Sequence, residues 1–592
     1  MNFKIILFLF LLSFNKSFAS DYFNTHKAFV NDKLWIEKNN LHTPPSLPPP
    51  IQKASPDIAK DTLSISMIEN LVLLGKIWGF LKYHHPEIAK GKYDWDEKLI
   101  SFLPDFLLIK KTQERDSLML QWIEKLGKIP HCKRCRLSSN AYQKPDTSWI
   151  TKSDLSEELK NKLTEIFQNR NQNKNYYVHY SSKVGNPIFT NENAYSSNPF
   201  PDKNIRLLCL YRYWNIIEFF YPYKYLTDKK WDSVLKEYIP KFIFAKNETE
   251  YEQTVLQLIG EIQDTHAVLW NANKINEWRG ENFAPFQLRY IENHFVVTDD
   301  YHPEFSKLSP LKKGDIITHI HGKPIHAILD SLKKYFPASN PMAQKRDIAL
   351  HLLRSSQKNI SIRYLSGQKS AEGMVKLYPR KELDIYIGHR INKNETSFRI
   401  LKRNIGYIHI GKIQNKEIPT IKKTFRNTQG IIIDLRHPPS AFVPYSLGAY
   451  FVTQPTDFAK LSLGNPQNPG EFNFKMSEKI KSDRNNTYSG KLIILVDEYT
   501  QSQAEYTAMA FRAVKSSLIV GTTTAGTDGN ISTLSLPGGL ETAISGIGVY
   551  YPNGTPTQSV GIIPDIIVSP TIEGILQGKD EILEKALELL KK

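Results

Sequence analysis

Two stretches of this chain are versions of one another. "LGKIWGFLKYHHPEIAKGKYDWDEKLISFLPDF" and "LYRYWNIIEFFYPYKYLTDKKWDSVLKEYIPKF" set Trp78 against Trp214, Pro86 against Pro222, Trp95 against Trp231 and Pro104 against Pro240. Every pair has the same offset (214 − 78 = 136), and the register continues without a gap to Leu120 and Gln121 against Leu256 and Gln257. A duplication of this kind makes one mostly helical unit fold twice, closed by a helix of the type "EYEQTVLQLIGEI". The register is also informative where it fails. Asp264, Thr265 and His266 of the second copy face Lys128, Ile129 and Pro130 of the first. A histidine at a helix end is ordinarily structural. This one follows an amphipathic helix and precedes the strand-like "AVLW", which makes it a candidate site residue.

A chain of 592 residues exceeds one core and suggests about three to five domains. The opening "MNFKIILFLFLLSFNKSFAS" has a lysine, an apolar run and small residues at Ser17 and Ala19, the pattern of a secretory signal cleaved after Ala19. No cysteine stands nearby to carry a lipid anchor. The polar stretch that follows ends in "PPSLPPP" and reads as an extended leader. No later stretch approaches the roughly 18 apolar residues of a membrane span. The expected location is outside the cytoplasm, periplasmic or extracellular. The formal charge of +17 is scattered, with no basic block or nucleic-acid motif, so a solvated basic surface is expected and nucleic acid is not. "HCKRC" offers Cys132 and Cys135 without a second ligand pair, so a local disulfide or free thiols are favoured over zinc. No metal or cofactor is called for.

Between Phe283 and Pro379, "FQLRYIENHFVVTDD", "LKKGDIITHIHGKPI", "NISIRYLS" and "EGMVKLYP" read as short strands around Gly-containing turns, a small β-rich domain. From Asn404 the pattern becomes α/β. "NIGYIHIGKI", "GIIIDLR", "KLIILV" and "SLIVG" are short apolar runs fit for buried strands, with helical stretches between them. "GILQGKDEILEKALELLKK" reads as one terminal amphipathic helix.

In "KLIILVDEYTQSQAEYTAMAFRAV", Ser502 stands at a strand-to-helix turn. Tyr506, Met509, Ala510 and Ala513 recur at helical steps beyond it. A hydroxyl there meets the free N–H groups and positive end of a helix, which suits a nucleophile. The same residues also read as an N-cap, with Glu505 completing a capping box, and both readings hold together.

In their order, "NIGYIHIGKI", "GIIIDLRH", "DEYTQSQAEYTAMAFRAVKSSLIVGTTTAG" and "YYPNGTPTQSVGIIPDIIV" resemble the tail-specific, or C-terminal processing, serine proteases. The unit with "LKKGDIITHIHGKPI" resembles the PDZ domain inserted in that family, and the likeness spans roughly Ile205 to Val568. It implies an α/β and α+β multidomain protein with a crotonase/ClpP-like core. Where the lysine-dependent branch has its lysine, this loop reads Gly526-Thr527. The chain is therefore more similar to the tricorn-core-like branch, in which a histidine ahead of the PDZ domain is the base.

That resemblance implies Ser502 as nucleophile and His266 as base, with Thr265, Gln558 or Asp264 orienting the imidazole. Gln558 stands near the place of a family glutamate. Gln503 would supply one oxyanion N–H. The turn after "DLR" lacks the family's Gly-Gly and reads His437-Pro438-Pro439, so Ser440 or Ala441 must supply the other. Glu505 caps or ties the helix and is not the base. The PDZ-like unit would take a peptide end near Phe286, Gln287 and Leu288, without the usual glycines.

The expected division is 1–19 signal, 20–60 leader, 61–200 degenerate first copy, 201–280 second copy, 283–382 PDZ-like unit and 395–592 protease core. The expected partner is a peptide or unfolded protein segment; the sequence sets no oligomeric state. The alternatives are a catalytically impaired peptide-binding protein of the same fold, a non-peptidic acyl hydrolase, and a scaffold in which the duplicated helices bind a partner.

Overall fold

The computed structural model describes residues 63–385, 395–484 and 486–591. The expected signal segment and leader, and residues 61–62 of the first copy, lie outside the described residues. The first copy supplies α1 (Ile65–His84), α2 (Trp95–Phe106) and α3 (Thr112–Glu124). The second supplies α4 (Lys203–Phe220), α5 (Trp231–Phe244) and α6 (Glu248–Gly260). Each copy is locked by the same device. The indole of Trp78 donates to the Trp95 carbonyl at 3.1 Å and Trp95 returns the bond at 3.0 Å. Trp214 and Trp231 do the same at 2.9 and 3.0 Å. A buried indole N–H needs an acceptor, so the matched tryptophans satisfy each other's backbone.

The two copies cross where α1 carries glycine. A Cβ on Gly79 would come within 1.9 Å of the Asn215 side chain, and one on Gly75 within 2.5 Å of Tyr211. These are equivalent positions of the duplication (215 − 79 = 136; 211 − 75 = 136). The repeats therefore meet like with like, and glycine on one side makes room for the larger residue on the other. Nearby, a largely buried ion network joins Arg212 to Asp96 at 2.5 Å and to Glu192 at 2.9 Å, and Lys82 to Glu192 at 2.8 Å. Arg212 also donates to the Ser535 carbonyl at 3.0 Å, tying the helical part to the C-terminal part.

The inserted sheet domain has the order β5-β4-β3-β2-β1, all antiparallel. Its strands are β1 (Phe286–Ile291), β2 (His294–Asp300), β3 (Ile316–Ile320), β4 (Asn359–Ser366) and β5 (Lys369–Lys376). Glu292 and Asn293 take positive φ at the first hairpin, and His321 and Gly322 at the turn after β3. Helix α7 (Ile325–Leu332) follows, and α8 (Pro341–His351) packs along edge strand β1.

The C-terminal sheet runs β6-β7-β8-β11-β12-β16. Its members are β6 (Phe398–Leu401), β7 (Ile405–His409), β8 (Gly430–Asp434), β11 (Lys491–Val496), β12 (Ser517–Gly521) and β16 (Ile566–Ile567). All neighbours are parallel except β6 with β7. Period-2 side-chain alternation splits its apolar runs between two faces. Ile431, Ile433, Leu492, Ile494 and Val496 join a cluster with α9 (Ile418–Phe425) and α10 (Gln503–Arg512). Ile432, Ile493 and Leu495 face α11 (Glu581–Leu589). Beside this sheet lie a three-stranded sheet, β10 (Asn468–Met476), β9 (Lys460–Asn465) and β15 (Gly548–Tyr550), and the hairpin β13 (Ile531–Leu536) with β14 (Leu540–Ser545).

Two local expectations are corrected. "AVLW" forms no strand; Trp270 alone of its residues pairs, in a single bridge to Glu541. The terminal helix is two helices, broken where Gly578 takes the left-handed conformation and Asp580 caps α11 through the Leu583 N–H. Cys132 and Cys135 form a disulfide, and Cys209 is buried and free.

Candidate active site

Strand β11 delivers the chain into 497–501, and Ser502 opens α10 with φ 57° and ψ −121°. A non-glycine residue in that region stores roughly 1–3 kcal/mol of strain, so its surroundings must hold it. They do so through the backbone. The Ser502 N–H donates to the Thr527 carbonyl at 2.9 Å and to Glu505 Oε2 at 3.1 Å. Glu505 is fully buried and also accepts the N–H of Gly526 at 2.9 Å, the N–H of Thr527 at 3.0 Å and the Thr524 hydroxyl. Burial raises its pKa to about 7, against the pull of those donors. Glu505 thus binds the nucleophile turn to the 524–527 loop, the tie expected of it.

At the other side of that loop lies His266. Asp264, fully buried, accepts the His266 backbone N–H at 3.0 Å, the Thr527 hydroxyl at 2.6 Å and the Ser545 N–H at 2.8 Å. The ring's Nδ1 lies 2.9 Å from Ser545 Oγ, 3.4 Å from Thr527 Oγ1 and 3.8 Å from Asp264 Oδ1. The ring's hydrogen-bond contacts among the described residues all run through Nδ1. Burial lowers the imidazole pKa below its ordinary value, and the Asp264 charge offsets part of that. Among the described residues no hydrogen bond joins the Ser502 hydroxyl to the His266 ring; Thr527 bonds to both residues instead.

The oxyanion candidates separate. Among the described residues, neither the Gln503 N–H, at the start of α10, nor that of Ala441 meets a backbone acceptor. The Gln503 side chain donates to the Ala441 carbonyl at 3.0 Å, holding the two together. Ser440 is corrected: its N–H donates to Ile410 at 3.1 Å and its hydroxyl to Ile413 at 2.6 Å, which leaves it no donor to offer. The His437 ring stacks on His409 at 4.5 Å and holds the start of this turn.

Gln558 and Thr265 are corrected as imidazole partners. The Gln558 amide donates to Ser339 Oγ at 3.2 Å and to the Gln263 carbonyl at 3.4 Å. Thr265 exchanges bonds with Ser339, at 3.1 Å between hydroxyls and 2.9 Å from the Ser339 N–H. Both tie the His266 loop to the inserted sheet domain. That domain touches the nucleophile loops too. Asn340 donates to the Thr524 carbonyl at 2.8 Å, Arg289 to Glu498 at 2.7 Å and Arg346 to the Glu498 carbonyl at 2.8 Å.

Of the peptide-capture candidates, Phe286 and Leu288 are buried in the sheet domain's core, and Gln287 accepts from Thr298 at 3.0 Å. Only about 10 Å³ of open space lies between β1 and α8 there. Among the described residues, no group of three or more His, Cys, Asp or Glu is placed to hold a metal.

Residues 404–568 match the sequence profile of peptidase family S41. The C-terminal domain belongs to peptidase family S41. The S41 fold extends well beyond that stretch. The structure of mature CPAF complexed with lactacystin is 15% identical, with a TM-score of 0.53, over 66% of this chain and 98% of its own. Mature CPAF alone gives 15%, 0.50, 65% and 96%. The photosystem II D1 C-terminal processing protease aligns at 15% identity and TM-score 0.37 over 64% of this chain and 98% of its own. No curated protein matches the chain. Residues 404–568 thus form an S41 peptidase domain, and the fold around them is mixed α/β and multidomain.

Thr527 and Ser545 were not singled out as imidazole contacts in the sequence. Thr527 had stood out only as the residue found where a lysine was sought. A hydroxyl in a lysine's place was the available signal; for Ser545, 279 residues from His266, the sequence held none.

Proposed function

We propose that the chain is an exported serine endopeptidase in which Ser502 is the nucleophile and His266 the base. The observation that carries this is the double attachment of Thr527, whose carbonyl takes the Ser502 N–H at 2.9 Å and whose hydroxyl lies 3.4 Å from His266 Nδ1. Two residues 236 positions apart (502 − 266) are thereby brought to one loop. With Nδ1 engaged, Nε2 is the nitrogen that takes the Ser502 proton as Oγ attacks the peptide carbonyl. The oxyanion is received by the N–H groups of Gln503 and Ala441, each worth roughly 3 kcal/mol when well placed. Asp264 stabilises the imidazolium, which then protonates the leaving amine. Water repeats the sequence on the acyl-enzyme.

The apolar N-terminal run and the Cys132–Cys135 disulfide support export to an oxidising compartment. Edge strand β1 supports capture of a peptide as an added strand in a PDZ-like manner. The test is cleavage of unfolded polypeptides by wild type, Ser502→Ala and His266→Ala, each with a folding check by circular dichroism. Loss of cleavage in both variants with the fold intact supports the assignment. A wild type that binds peptides without cleaving them favours the impaired peptide-binding alternative.

A further inference from the structure

We infer that Asp264 acts on the His266 imidazole through the hydroxyls of Thr527 and Ser545, which are the positioning residues that fix the ring's tautomer. This rests on the assignment of His266 as base. In a direct triad the carboxylate accepts from Nδ1–H. Here the Asp264 Oδ1 to Nδ1 separation of 3.8 Å is too long for that bond. Oδ1, the oxygen nearer the ring, already accepts the His266 N–H and the Thr527 hydroxyl, and the other oxygen accepts the Ser545 N–H. All three neighbours of the ring are fully buried, so water does not substitute for them.

The tautomer follows from counting protons. A threonine hydroxyl has one, and Thr527 gives it to Asp264 Oδ1 at 2.6 Å. Toward Nδ1, 3.4 Å away, it therefore presents only a lone pair. Ser545 Oγ at 2.9 Å turns freely and accepts as readily as it donates. A hydrogen on Nδ1 is then shared between two oxygens, and the Asp264 charge behind them favours it further. Nε2 is left with its lone pair for the Ser502 proton. During the reaction that proton moves from Ser502 Oγ to Nε2 and on to the leaving amine. The Nδ1 hydrogen stays in place, and none passes to Thr527, Ser545 or Asp264.

Thr527 does more than orient the ring. Its N–H is fixed by Glu505 at 3.0 Å, its carbonyl holds the Ser502 N–H, and its hydroxyl faces Asp264 and His266. All three polar groups of one residue span the nucleophile and the base. Only the hydroxyl differs between threonine and valine, so that substitution isolates the tautomer role from the backbone role.

The direct test is the neutral imidazole of the wild-type enzyme labelled with ¹⁵N-histidine, with His266→Gln used to assign the signal. The expected spectrum shows hydrogen on Nδ1; hydrogen on Nε2 overturns the inference without any substitution at Thr527 or Ser545. Kinetics add a second readout. Thr527→Val is expected to lower kcat for peptide cleavage roughly 10- to 100-fold with KM nearly unchanged, a part of the roughly 100- to 10,000-fold that general-base catalysis supplies. Thr527→Ser should recover to within a few-fold of wild type. Ser545→Ala should give a smaller loss, because Thr527 still accepts from Nδ1–H. Wild-type kcat in folded Thr527→Val overturns the hydroxyl relay while leaving Ser502 and His266 in their roles. Wild-type cleavage by His266→Gln instead removes the assignment on which the inference rests.

Discussion

Replacing Glu505 by glutamine tests how the nucleophile turn is held. Glu505 is fully buried and takes four donors, from Ser502, Thr524, Gly526 and Thr527. Its pKa is raised to about 7, against about 4.5 for an exposed glutamate. Between those values the folded protein keeps a proton that the unfolded chain releases. The stabilising contribution is therefore complete below the unfolded value and is lost as pH rises toward the folded one. The loss is about 2.5 units at 1.36 kcal/mol each, or about 3 kcal/mol. Glutamine resembles the protonated acid but cannot lose charge balance with pH. Its NH2 also faces N–H donors, leaving at least one of them unpaired at a cost of roughly 1–3 kcal/mol. Wild type is thus expected to be the more stable protein at pH 5. The gap should close by about 3 kcal/mol by pH 8, to parity or slight reversal. Thermal melts or urea titrations of both proteins at pH 5, 6, 7 and 8 read this difference, in which titrations common to both cancel. Burial, with a further push from the Glu505 charge, raises the nearby Asp528 carboxyl as well. A gap that stays constant across this range would refute the argument, because it would mean that Glu505 is ionised throughout.

Three further outcomes follow from the same contacts. Because burial holds His266 below its ordinary pKa of 6.5, kcat/KM should rise with pH along a limb whose midpoint lies below 6.5. Asp264→Asn should move that midpoint lower still, since the Asp264 charge raises it; rate profiles between pH 4 and 8 check both. Arg212→Met leaves Asp96 and Glu192 buried without their arginine and should destabilise the protein by roughly 3–5 kcal/mol, read by denaturant titration. Gln503→Ala frees the Ala441 carbonyl and should lower kcat about tenfold with little change in KM, as the second oxyanion donor loses its anchor.

Much of the framework was legible in the sequence because it rests on local pattern. Matched tryptophans at a fixed offset announced the repeat, and runs such as "GIIIDLR" and "KLIILV" announced strands buried on both faces. The strand-to-helix turn at Ser502 and the helix-closing polar cluster at Asp264 to His266 were visible for the same reason. What failed was pairing across distance. Gln558 was placed by its position near an expected glutamate, but a short amide bonds whatever lies closest, here Ser339 and Gln263. Ser440 was offered as an N–H donor because prolines precede it, and nothing local revealed that the Ile410 carbonyl would take that N–H. Thr527 and Ser545 reach His266 only through the folded arrangement of a loop and a hairpin. The terminal helix broke at Gly578, a signal that was in plain view and was outweighed by the apolar periodicity around it.

The central claim is that Ser502 is activated by His266. A fluorophosphonate probe, followed by peptide mapping, measures it most directly. The account predicts a single adduct on Ser502 in the wild type, formed at a rate that falls at least tenfold in folded His266→Ala. An adduct at another serine, or labelling of Ser502 at an undiminished rate without His266, would contradict it.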